Sequence, residues 1–130
     1  EELLAISDFV SLHVDLNDET RHILDARALN KVKPACRIIN ISRGAAIGQT
    51  ALMAALQSDR LGGAALDVFE DEPLPAHHPI TELPHVVLTP HIAGLTTTSM
   101  ERTAQASAQA VLDALVGKTP EYVVNGVTVG

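Results

Sequence analysis

Four short apolar runs, three of them ending at a residue able to do chemistry, constrain what this chain can fold into more than any other feature. Asp8–Val14 alternates enough to read as a strand. Cys36–Ile41, Ala64–Val68 and His85–Leu88 are three more, the last stopped by Thr89-Pro90. The apolar weight of Cys36–Ile41 predicts burial on both faces, as in a parallel sheet. Arg43 follows the second run, Asp67 closes the third and His91 follows the fourth.

The stretches between the runs carry helical spacing. Ile23, Leu24, Ala28, Leu29 and Val32 share one helical face over Arg21–Val32, which Pro34 ends. Thr50 is placed to cap a helix over Ala51–Ser58, with Gly62 and Gly63 as its stop. Thr98-Ser99-Met100-Glu101 matches a capping box and opens a helix of about five turns over Ser99–Val116. Met100, Ala104, Ala108, Val111, Leu112 and Leu115 form its apolar stripe, and Gly117 ends it. The tail includes Tyr122–Asn125, which reads as a strand belonging to another unit. Strands alternating with helices predict an α/β fold built from βαβ units on a parallel sheet. Ligands in such sheets bind beyond the C-terminal strand ends, where Arg43, Asp67 and His91 all fall.

Composition excludes several functions. The chain is 130 residues with a net charge of −7 and 2% aromatic residues, so it has neither the basic stripe nor the stacking platform of a nucleic-acid binder. No apolar run reaches the ~18 residues a membrane span requires. The single cysteine, Cys36, cannot form an internal disulfide and the N-terminus is acidic, which together favour a reducing, cytoplasmic setting. The abrupt start, Glu1–Ala5, reads as the tail of a helix already in progress and suggests a piece of a longer protein.

The candidate site residues each have a plain structural alternative. Arg43 offers a planar fork that fits a carboxylate or phosphate, or it ties a loop. His91 can act as a general acid–base, or it is a satisfied structural histidine. Asp67 ends a buried strand, so its carboxylate must bond either a ligand or local backbone amides. Glu72 can orient His91, whereas Glu70 and Asp71 read as solvated loop acids. They lie in an irregular connection, Glu70–Pro84, that holds four prolines and one turn of helix near Ile80. His77-His78 lacks a spaced third ligand, so no metal site is expected.

Three motifs carry a resemblance. Ile39–Gly44, Gly63–Leu74 and Leu88–Gly94, in this order and separation, resemble the D-isomer-specific 2-hydroxyacid dehydrogenases, a family that includes phosphoglycerate dehydrogenase and glyoxylate/hydroxypyruvate reductase. The similarity runs from Leu3 to Asn125. It implies the C-terminal half of a Rossmann-type parallel sheet with flanking helices. Residues 1–117 would belong to the NAD(P)-binding domain, and 118–130 would return toward a substrate domain. Arg43 would hold the carboxylate and C2 oxygen of a small 2-keto or 2-hydroxy acid, His91 would move the proton, and Glu72 would keep His91 protonated. Ile41, Ser42, Arg43, Asp67, His91, Ala93 and Gly94 would line the nicotinamide half of NAD or NADP, with NAD favoured and Asp67 holding the carboxamide. A homo-oligomer, such as a dimer, is also expected.

The chain departs from the family pattern at Asp15, where proline is usual, and at Gly48-Gln49, where an acidic pair is usual. It also holds no Gly-x-Gly-x-x-Gly turn for the cofactor pyrophosphate. Weak or absent cofactor binding and an inactive isolated piece are therefore expected. The alternative is a non-catalytic binding or self-assembling module derived from the family.

Overall fold

A computed structural model describes residues 2–126. The chain divides into two compact units, Glu1–Ala93 and Gly94–Gly130.

In the first unit the strands are β1 (Phe9–Leu12), β2 (Arg37–Asn40), β3 (Gly63–Leu66) and β4 (Val86–Leu88). They form one parallel sheet in the order β1-β2-β3-β4, with Phe9 opposite Arg37, Arg37 opposite Gly63 and Ala64 opposite Val86. The helices are α1 (Glu2–Ile6), α2 (Ala26–Leu29) and α3 (Gln49–Gln57), with 3-10 turns at Gly44–Ala46 and Pro79–Glu82. Val10, Leu12, Ile38, Ala64 and Leu66 form one core cluster with Leu29 of α2, Leu52 and Leu56 of α3, and Ile80 of the second 3-10 turn.

The alternate strand positions behave differently. Phe9, Arg37 and Val87 are exposed, and the Arg37 guanidinium lies 5.7 Å from the centroid of the Phe9 ring. The two-sided burial expected of the second strand is therefore only half realised, because α2 and α3 both contribute to the cluster on the Ile38 side.

Three other boundaries differ from the sequence reading. The helix expected over Arg21–Val32 is the single turn Ala26–Leu29, because Asp25 caps it by accepting from the Ala28 N–H at 2.8 Å. The preceding Leu24 instead bridges to Ile47 in parallel fashion. Helix α3 starts at Gln49 after Gly48, so Thr50 lies inside it and caps nothing. Gly62 and Gly63 do not stop that helix, which ends at Gln57 with Ser58 as its C-cap. They let strands approach, since a Cβ at Gly62 would lie 2.3 Å from the Ala35 carbonyl oxygen and one at Gly63 2.5 Å from that of His85.

The second unit contains α4 (Thr97–Leu115). Its cap is Thr96, whose hydroxyl accepts from the Ser99 N–H at 3.1 Å, so the expected capping box at Thr98 lies within the helix. Met100, Val111, Leu112 and Leu115 of its stripe are more than half exposed. Tyr122–Asn125 forms no strand. Among the described residues no helix is long and apolar enough to cross a membrane.

Candidate active site

The site is assembled where β2, β3 and β4 end side by side. At the end of β2, Asn40 is 1% exposed and spends its whole amide on the next three residues. Its Nδ2 donates to the Arg43 carbonyl at 2.8 Å, and its Oδ1 accepts from the Ser42 N–H at 3.1 Å and the Ser42 hydroxyl at 2.9 Å. A buried amide satisfied this way fixes the turn that presents Ile41, Ser42 and Arg43. Ile41 is 44% exposed. The Arg43 Nη1 donates to the Ser42 carbonyl at 2.7 Å, and among the described residues no carboxylate pairs with it. Gly44 follows because nothing larger fits: a Cβ there would stand 1.8 Å from the Phe69 carbonyl oxygen.

At the end of β3, Asp67 is 3% exposed and its carboxylate takes local bonds. Its Oδ1 accepts from the Thr89 hydroxyl at 2.5 Å and the Ile92 N–H at 2.9 Å, and its Oδ2 accepts from the Ala93 N–H at 2.8 Å. Burial pushes this carboxyl up, but the bonds from Thr89, Ile92 and Ala93 and the nearby His91 outweigh it and leave the group below its ordinary value. Asp67 thus ties the loop after β4 to the end of β3.

That loop carries His91, whose Nδ1 lies 2.7 Å from Glu72 Oε2. With the proton on Nδ1 donated to the carboxylate, Nε2 is the nitrogen left to exchange protons with a ligand. His91 has φ 55°, a left-handed backbone that aims its side chain differently from an extended residue. Glu72 is held from its other side, since Oε1 accepts from the Phe69 N–H at 2.9 Å. The His91 bond and the Phe69 amide together hold the Glu72 carboxyl below its ordinary value, against a smaller opposing effect of burial. A cleft lined by Phe69, Leu74, Leu88 and Pro90 opens beside the pair.

Glu70, expected to be a solvated acid, is engaged. Its Oε1 lies 2.8 Å from His22 Nε2 and accepts from the Gln49 N–H at 3.2 Å, while its own N–H donates to Gln49 Oε1 at 3.2 Å. His78 caps the second 3-10 turn by accepting from the Ile80 N–H. Among the described residues no group of three or more His, Cys, Asp or Glu gathers as a metal site. Gly94 belongs to the second unit, where a Cβ on it would meet nothing within 4 Å. Asn40, Thr89 and Gln49 escaped sequence reasoning; only Asn40, an amide inside an apolar run, left a local signal.

Residues 1–93 match the family model described as "D-isomer specific 2-hydroxyacid dehydrogenase, NAD binding domain". The chain belongs to the D-isomer-specific 2-hydroxyacid dehydrogenases. It is 43% identical over 125 residues to a glyoxylate reductase of Thermofilum pendens, covering 96% of this chain and 37% of that protein. It is 48% identical over 100 residues to an (S)-sulfolactate dehydrogenase of Chromohalobacter salexigens, covering 77% of this chain and 32% of the relative. Among solved structures, the TT0316 protein from Thermus thermophilus matches with a TM-score of 0.90 and 41% identity over 95% of this chain and 39% of that one. A family member from Xanthobacter autotrophicus, solved with NADPH and MES, matches with a TM-score of 0.78 and 32% identity, covering 97% of this chain and 50% of that one. The chain therefore spans well under half the length of the curated relatives it matches, within a Rossmann-type NAD-binding domain.

Proposed function

We propose that this chain supplies the reacting half of an NAD(P)-dependent D-2-hydroxyacid dehydrogenase site. The observation that carries the reading is the Glu72–His91 pair at 2.7 Å, seated on a loop bonded to the end of β3. Arg43 is the cation that fixes the carboxylate of a small 2-keto or 2-hydroxy acid and steadies its C2 oxygen. His91 gives a proton from Nε2 to that oxygen on reduction and takes it back on oxidation. Glu72 accepts from Nδ1 and so holds the imidazole in the required tautomer.

The residues present fit a nicotinamide cofactor. Asp67 Oδ2 accepts one bond, so it keeps capacity for a carboxamide N–H, and exposed Ile41 offers an apolar surface to a ring. Ser42, Arg43, His91 and Ala93 would complete that surround. When bound, the nicotinamide supplies or accepts hydride at C2. NAD is favoured over NADP, and binding by this chain alone is weak. The active form is a homo-oligomer, which light scattering of the active protein would check.

A chimaera tests the reading. This chain replaces the matching segment of the Thermofilum glyoxylate reductase, and NADH-dependent reduction of glyoxylate is followed. The chimaera should turn over, and His91→Asn should lower kcat by a factor of about 10²–10⁴. Turnover by the Asn variant within a few-fold of the parent would overturn the assignment of His91.

A further inference from the structure

We infer that Gln49 and Glu70 are positioning residues, whose reciprocal bonds hold the loop carrying Glu72 in place against His91. The inference deepens, and rests on, the reading of Glu72 and His91 as the proton-transfer pair.

Glu72 sits on a surface loop with no regular structure between Phe69 and the 3-10 turn at Pro79. A carboxylate there keeps a 2.7 Å contact with His91 only if something else fixes its backbone. The loop's start is fixed twice. Phe69 is buried and its carbonyl abuts Gly44, closely enough that a Cβ on Gly44 would collide with it. Glu70, the next residue, is bound to the first residue of α3 at both ends: its N–H donates to Gln49 Oε1 and its carboxylate accepts from the Gln49 N–H, each at 3.2 Å.

The second bond also serves the helix, because α3 has no side-chain cap of its own at Gly48 and its leading N–H groups lack partners within the helix. The Glu70 carboxylate takes one of them at the positive end of the helix, where an anion is favoured. Gln49 Nε2 also lies 3.1 Å from His78 Nε2, but His78 Nδ1 accepts from the Ile80 N–H, so both nitrogens are donors and the tie rests on the two bonds to Glu70.

A third contact extends the tie to the arginine turn. His22 Nε2 lies 2.8 Å from Glu70 Oε1, and the His22 N–H donates to the Ala45 carbonyl at 2.8 Å. Ala45 lies two residues after Arg43, so His22 bridges the segment that follows the arginine and the segment that leads to Glu72.

Carbon-detected NMR titration of side-chain carboxyl groups in the labelled 130-residue chain tests the tie without turnover. The charged groups bearing on Glu72 are His91 and Asp67, and Asp67 provides an internal control because its partners lie outside the tie. In Gln49→Met, which keeps bulk but removes the amide, and in Glu70→Ala, the Glu72 midpoint should rise toward the ordinary glutamate value of about 4.3, with Asp67 unmoved. Glu70→Gln retains an acceptor for the Gln49 N–H and should leave Glu72 close to the parent. An unmoved Glu72 in the first two variants overturns the inference, and so does a joint shift of Glu72 and Asp67, which would mean general loosening. Failure of the proton-transfer reading would show instead in the glyoxylate assay of His91→Asn.

Discussion

Replacing Asp67 by asparagine changes no volume and should still cost a large share of the domain's stability. The carboxylate accepts from a hydroxyl and two backbone N–H groups while 3% exposed. An asparagine has one oxygen in place of two. If that oxygen keeps Thr89 and Ile92, the new NH2 faces the Ala93 N–H, donor against donor. The two retained bonds lose their charge assistance, from about 1.5–3 kcal/mol each to about 1, and a buried donor left unmatched costs about 1–3 kcal/mol. Relaxation of the exposed loop offsets part of this, so a loss of about 2–4 kcal/mol is expected, against a typical total of about 5–15.

The sign of the pH dependence follows from the lowered folded-state value of Asp67. Its contribution is complete above the unfolded value of about 3.9 and is lost as pH falls through the folded one. Urea unfolding at pH 7 should show the full gap between parent and Asp67→Asn, and the gap should close below about pH 4. A gap below about 0.5 kcal/mol at pH 7, or one that does not change down to pH 3, would refute the account.

Three further outcomes can be checked. Gly44→Ala drives a Cβ to 1.8 Å from the Phe69 carbonyl oxygen, so it should lower stability by about 1–3 kcal/mol or more in urea unfolding; a neutral result would mean that the two loops are not in contact. Thr96→Ala should cost α4 about 1 kcal/mol of helix stability while Thr98→Ala costs little, read by circular dichroism on heating; the reverse order would restore the capping box at Thr98. Burial, followed by the nearby Asp8, raises the Cys36 thiol and the residue is 1% exposed, so a thiol reagent should label it only after unfolding; rapid labelling of the folded chain would contradict that burial.

The place of the candidate site residues was legible because it depends on residue type at a position the apolar pattern already marks. Arg43, Asp67 and His91 each interrupt or follow an apolar run, and the parallel sheet follows from the same runs. Helix boundaries were less legible. Leu24 fits the apolar spacing of a helix, yet it pairs with Ile47, a partner that spacing does not reveal. Gly62-Gly63 after a helix reads as a stop, while the actual demand comes from Ala35 and His85, distant in sequence. Glu70 read as one more solvated acid for the same reason, because Gln49 is 21 positions away. Asp67 was legible as a buried carboxylate needing partners, but its local donors Ile92 and Ala93 lie 25 and 26 positions away, which spacing does not reveal.

The left-handed backbone of His91 bears on how tolerance at this position should be read. A side chain in that region is disfavoured for most residues, least for glycine, asparagine and aspartate, and most for β-branched ones. A library of every amino acid at position 91, sorted only for folded protein, should already lose valine, isoleucine and threonine. The same library carried in the glyoxylate reductase chimaera and sorted for turnover should lose asparagine and glycine as well. Depletion seen in both sorts belongs to the turn, and depletion that appears only in the second belongs to the imidazole.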